Sequence, residues 1–396
     1  MVSVLVLAAC NGDGGEDGDA QQDDGGQETL KIGFASGQTG YLAVTDGPAL
    51  EGLEFGFEEI NEEGGIAGRL MVELDVRNTE SDPGLTATTV EALIEDGADI
   101  IVTPCDSDPS VAGGQVSQRE GIPTFSICAS TPTMRDQVGD MMFGNTYGDN
   151  VSGSILAGYA RELGYETAYL HLSTDTQYTQ RLPEYFAIAF EEMGGEVIDY
   201  GTYAIDQQDF SAGLTELANV SPPPDVFFTS TYEPQLQALL QQYQNQGIET
   251  HFFAAEGMDT PASFELPDEA IEGVVYTTAS FVEPGGPLEE FNQKYEEHYG
   301  REPGSAFPAI GYDLAQVIKA AVEEAGSIEG EAIRDAVLLL EGVQGGTGEI
   351  SYTGREDGMA TKSVALVEVR NGEPQLIRFV SPDPAEIPDA TATWLP

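Results

Sequence analysis

The sequence is short of positive charge. It has 15 Lys and Arg among 396 residues, against 69 Asp and Glu, for a formal net charge of −54. Binding a phosphate backbone needs clustered Lys or Arg, so nucleic acid is excluded as a partner class, and an anionic membrane surface would repel the chain. Histidine is equally sparse. His171, His251 and His298 are scattered, and no HExxH, GxSxG or GxxxxGK[ST] pattern occurs; the three imidazoles therefore read as structural or surface groups and no enzyme is expected. No apolar run is long enough to span a bilayer. The early Asp/Gly-rich stretch lacks the terminal Glu and the hydrophobic position of a calcium loop, so neither metal nor cofactor is expected.

The surplus of acid reads as a solvation adaptation of the kind that suits high salt, where screening removes self-repulsion; stability should then fall as salt is withdrawn. The first ten residues, ending VSVLVLAAC, resemble the end of a bacterial lipoprotein signal, in which small residues precede a cysteine that becomes lipidated. Cys10 is the candidate, although no Lys or Arg precedes it. Residues 11–28, NGDGGEDGDAQQDDGGQE, have no apolar side chain larger than Ala and form a disordered acidic tether. The folded part is thus expected outside the cytoplasm, touching the membrane only through a lipid anchor. In an exported chain the remaining pair, Cys105 and Cys128, is expected to form a disulfide rather than two free thiols.

From Leu30 short apolar strands alternate with helices: LKIGFA, the helix GPALEGLEFGFEEINEEGG, then LMVELDVRN, the helix after Asp82-Pro83, DIIVT, a helix at 110–121, and IPTFSI. The rhythm restarts at DNVSGSILAGYARELG and runs to GVVYTTAS; helices near 288–299, 305–325 and 329–340 and three late strands follow. The fold class is therefore α/β, with two doubly wound parallel-sheet lobes joined by hinge strands. Lobe 1 is expected at 29–146 plus 280–362, lobe 2 at 147–279 plus 363–396, with crossings near 144–147, 276–280 and 362–365.

Ligands of parallel sheets bind at the carboxyl ends of the strands. Here those ends carry hydroxyls (Ser107, Ser130, Thr131), phenols (Tyr41, Tyr178, Tyr232), helix-start N–H groups and one acid, Glu256, but no Lys or Arg. Such a set suits a small zwitterion, with hydroxyls and helix starts for a carboxylate and a buried Glu for an ammonium.

Taken in order, KIGFASGQTG, NEEGGIAGRLMVELDVRNTESDP, EGIPTFSICAST, DFSAGLTEL and AAEGMD resemble the leucine/isoleucine/valine-binding proteins, the ligand-binding subunits of ABC importers with the type I periplasmic-binding-protein fold. The resemblance runs from about Leu30 to Phe379. It implies that Ser107 and Ser130, with backbone groups of Cys128 and Ala129, hold an amino-acid carboxylate. Glu256 would take the ammonium, and Tyr178 and Tyr232 would close over the ligand. The first-loop aromatic position falls on Thr45, with Tyr41 close by, and Cys128 replaces a small residue beside the ligand. The expected function is delivery of a small branched-chain or aliphatic amino acid to a membrane permease by a monomer. The same fold holding an amide, a urea-like molecule or a small organic acid is the alternative, as is a ligand-sensing module.

Overall fold

The computed structural model describes residues 28–381 and 384–395; Cys10 and residues 11–27 lie outside them. Five parallel strands form the first sheet: β1 (Glu28–Ser36), β2 (Leu70–Asn78), β3 (Ile100–Thr103), β4 (Thr124–Ser126) and β5 (Met142–Gly144), in the order β2-β1-β3-β4-β5. The helices α1 (Ala43–Glu62), α2 (Pro83–Glu95), α3 (Ser107–Glu120) and α4 (Met134–Val138) connect them. Ile100, Ile101 and Val102 are all fully buried, as a strand covered on both faces requires.

The second sheet has seven strands. The parallel part comprises β6 (Thr167–Leu172), β7 (Glu196–Thr202), β8 (Val226–Thr229), β9 (His251–Phe253) and β10 (Val275–Thr278). Between and before them run α5 (Asp149–Glu162), α6 (Gln177–Glu192), α7 (Ser211–Ala218), α8 (Gln235–Asn245) and α9 (Asp268–Ile271). Next come α10 (Pro287–Tyr299), α11 (Phe307–Ala325), α12 (Gly330–Val337), a small ribbon of β11 (Val343–Gly345) and β12 (Gly348–Ile350), and finally β13 (Val364–Arg370) and β14 (Glu373–Val380). The order is β14-β13-β10-β9-β8-β6-β7.

This second sheet departs from the wholly parallel expectation: β13 runs antiparallel to β10, and β14 antiparallel to β13. The cause is local. Asn371 and Gly372 both have positive φ, 56° and 75°, which is the backbone of a two-residue hairpin turn and forces the two strands to reverse.

The chain passes between the sheets three times: after β5, after β10 and before β13. Two of these passages touch. Gly144 N–H donates to Gly358 O at 3.0 Å, and Ala360 N–H donates to Gly144 O at 3.1 Å. Beside them Lys362 Nζ pairs with Asp313 on α11 at 2.5 Å, both side chains essentially without solvent contact. Asp313 also accepts from the Thr347 N–H at 3.1 Å. α11 lies against α1 at a close crossing, where a Cβ on Gly52 would strike the Pro308 backbone and one on Gly311 the Ala49 backbone. Residues 384–395 lie along α5 and α6; Asn150 donates to Pro388 O and Tyr185 to Ala390 O.

Candidate functional site

The strand tips of the first sheet are tied together by buried acids. Asp46, in the first turn of α1, accepts from Gly37 N–H at 2.6 Å and from Cys105 N–H at 2.8 Å, binding the β1 loop to the β3 tip. Burial raises its carboxyl to about 7. Cys105 and Cys128 form a disulfide, their Cα atoms 4.5 Å apart, so the expected pairing is present and joins the β3 and β4 tips.

The helix after β3 begins at Ser107, not at 110, because Asp106 takes an extended conformation (φ −130°, ψ 147°) and caps it, accepting from Asp108 N–H at 3.3 Å. That start decides which residue meets the cleft. Asp106, 3% exposed, lines it, and its Oδ2 accepts from Tyr41 at 3.2 Å and from Tyr232 at 3.5 Å. Burial, and then the charge of Asp108, push Asp106 up to about 7. Burial and the charge of Asp106 raise the Tyr41 phenol well beyond its ordinary range.

From the second sheet come Tyr178, in the first turn of α6, Tyr232 after β8, and Glu256, opening a single turn after β9. Tyr232 stacks on Tyr41 across the gap, with centroids 5.8 Å apart and planes 15° apart, and touches Tyr178 on its other side. Gly257 permits the close approach, since a Cβ there would sit 3.0 Å from that of Tyr232. Burial first, then the charge of Asp149, raise Glu256 to about 8, and hydrogen bonding from its own backbone N–H and from the Ser130 and Tyr178 hydroxyls only partly opposes this. Asp149 is itself fully buried and pushed up to about 7; it opens α5 and accepts from Thr131 at 3.1 Å.

Together these elements enclose a cleft of about 540 Å³, open mouth included, walled by Tyr41, Thr45, Asp106, Cys128 and Ser130 on one side and Tyr178, Tyr232 and Glu256 on the other. A smaller space of about 310 Å³ shares Cys128, Glu256 and Phe307 and leads toward Tyr147 and Ala279 beside the crossings. No Lys or Arg among the described residues lines either.

Six of the eight expected ligand residues therefore share one cavity: Tyr41, Cys128, Ser130, Tyr178, Tyr232 and Glu256. Ala129 stands behind the wall, its N–H donating to Ser126 Oγ at 2.6 Å. Ser107 is 1% exposed, its Oγ has no hydrogen-bond partner among the described residues, and it is not part of the wall; Asp106 takes that place. The Glu256 Oε2 is likewise buried without a close partner. Asp106, Thr260 and Phe307 are wall residues that the sequence reading passed over; the Asp of CDSDP, a good cap residue before a helix, was the available signal.

Two α/β lobes facing each other over a cleft agree with what comparison finds. Residues 29–374 match the model of a family described as periplasmic binding protein. The chain belongs to this family. Within it the kinship is to the leucine/isoleucine/valine-binding proteins. The leucine-, isoleucine-, valine-, threonine-, and alanine-binding protein of Pseudomonas aeruginosa is 21% identical over 330 residues, covering 83% of this chain and 87% of that one. The crystal structure of a leucine-binding protein, LivK, from Thermotoga maritima superposes with a TM-score of 0.80 at 26% identity, covering 89% and 99% of the two chains. A solute-binding protein from R. palustris in complex with benzoate shares the fold, with a TM-score of 0.79 at 18% identity over 89% and 97%. This periplasmic binding protein is accordingly extracytoplasmic and of the branched-chain amino-acid ABC transporter type. Among its described residues no helix is long and apolar enough to cross a membrane.

Proposed function

We propose that this binding protein closes on a small amino-acid-like solute and delivers it to a membrane permease, held to the cell surface by a lipid on Cys10. The observation that carries the reading is Glu256. Its carboxylate projects into the cleft with an unpartnered oxygen, burial and Asp149 make it costly to ionise there, and the Tyr178 and Tyr147 phenols lie beside it. A ligand ammonium removes that cost by supplying a charge-assisted hydrogen bond, and the aromatic faces favour a cation beside them. The adjoining space toward Ala279, Ala306 and Ile310, which Thr146, Thr278 and Asp259 also line, leaves room for a small ligand side chain only.

The lobes divide at the three crossings. A ligand held by Glu256 on one lobe and by Ser130 and its neighbours on the other makes both sets of contacts only when the lobes are shut, so it stabilises the closed form. Titration calorimetry at high salt against amino acids and their amides tests this. Glu256→Gln should weaken the best ligand by at least ~30-fold, since a hydrogen bond to a charged partner is lost. Unchanged affinity in that variant would remove Glu256, and with it the amino-group reading.

A further inference from the structure

Resting on that reading, we infer that the solute's other end presents hydrogen-bond donors to Asp106, as a carboxamide or a second amine does, and carries no free carboxylate there.

The sheet tip that should seat a carboxylate is already filled. The N–H of Cys105 donates to Asp46, as does that of Gly37, and the N–H of Asp108 donates to Asp106. The protein's own acids occupy the places a ligand anion would take. Ser107, the remaining hydroxyl at that tip, is not part of the wall. The phenols of Tyr41 and Tyr232 are committed to Asp106 Oδ2. The Ser130 hydroxyl is itself turned to the carboxyls of Asp149 and Glu256, and that of Thr45 donates to Leu42 O, so no uncommitted side-chain hydroxyl remains on that wall. No Lys or Arg among the described residues lines the cleft to offset the charge. Acid is in surplus instead: Asp106 on the wall, whose loosest partner is Tyr232 at 3.5 Å so that a ligand donor can take that phenol's place, the unpartnered Glu256 Oε2, and Asp149 behind it. Above about pH 7, where Asp106 is ionised, a ligand carboxylate about 5 Å away would be repelled by a factor on the order of 100 in affinity. An amide NH₂ or an ammonium in the same place gains a hydrogen bond to a charged oxygen.

The test uses matched pairs: glycine, alanine, valine and leucine, each against its own amide, with 1,4-diaminobutane as the doubly cationic probe, by calorimetry at high salt and about pH 8, where Asp106 is ionised. At least one amide, or the diamine, should bind tenfold or more tighter than every free acid. Asp106→Asn keeps the cap and the shape while removing the charge; it should cut the amide-over-acid ratio at least tenfold, and Asp106→Ser should cut it further. A free amino acid that binds as tightly as its amide overturns the inference and leaves the proposed function standing. An amide preference that survives both Asp106 variants, each shown folded by its melting curve, also overturns it. Failure of every amine-bearing probe sinks the proposed function, and the inference with it.

Discussion

Glu256→Gln should make the empty protein more stable while it destroys binding. Carrying a carboxyl from its ordinary 4.5 to about 8 corresponds to roughly 5 kcal/mol at ~1.36 kcal/mol per tenfold change in proton affinity. The sign follows from linkage. The folded state holds the proton more tightly than the unfolded chain, so the contribution is favourable below the unfolded value and is lost as pH rises through about 8. At about pH 9 nearly the whole cost is present in the wild type; at about pH 5 only ~1 kcal/mol of it remains. Glutamine keeps the shape and never ionises. The variant should melt about 6 °C above the wild type at about pH 9 and within ~1 °C of it at about pH 5. Asp46 and Asp106 titrate in both proteins and cancel in the difference, whereas Asp149, relieved of its neighbour's charge, adds to the gain. Thermal melts of both ligand-free proteins across this range, at fixed high salt, read the effect directly. If the variant is no more stable at alkaline pH, Glu256 is not the strained acid described here.

Two further outcomes are expected. Replacing Cys105 and Cys128 together by Ser opens a bridge of sequence separation 23 and should cost about 3 kcal/mol in denaturant unfolding; affinity should also fall, because the β3 and β4 tips are no longer held together. Dialysis into low salt should lower the melting temperature, since a net charge of −54 then repels itself unscreened; a melt indifferent to salt would refute the solvation reading of the acidic surface.

The alternation of strand and helix was legible because strands covered on both faces are apolar nearly throughout, as Ile100–Thr103 and Val226–Thr229 are up to their closing threonines. The antiparallel edge was also written in the chain, in the Asn371-Gly372 turn, but a strand-by-strand reading that looks only at apolar runs passes over it. At the site, residue type and order pointed to Glu256, Ser130 and the three tyrosines. What periodicity could not give was the choice between Asp106 and Ser107. That choice depends on where one helix starts, a matter of a single backbone conformation, and it reverses the chemistry of the wall from donor to acceptor. Asp149 was illegible for another reason: a buried acid at a helix start looks like any exposed capping acid until the neighbouring lobe covers it.

The Lys362–Asp313 pair bears on how the lobes can turn. A crossing strand clamped at its root to α11 cannot slide along the first lobe, because moving either charge away strands the other in a dry interior, at a cost of about 3–5 kcal/mol. Flexing is therefore confined to the few residues beyond the clamp, and the opening of the cleft becomes the swing of a jaw about a fulcrum, with the adjoining strand at Gly144 as its second bearing.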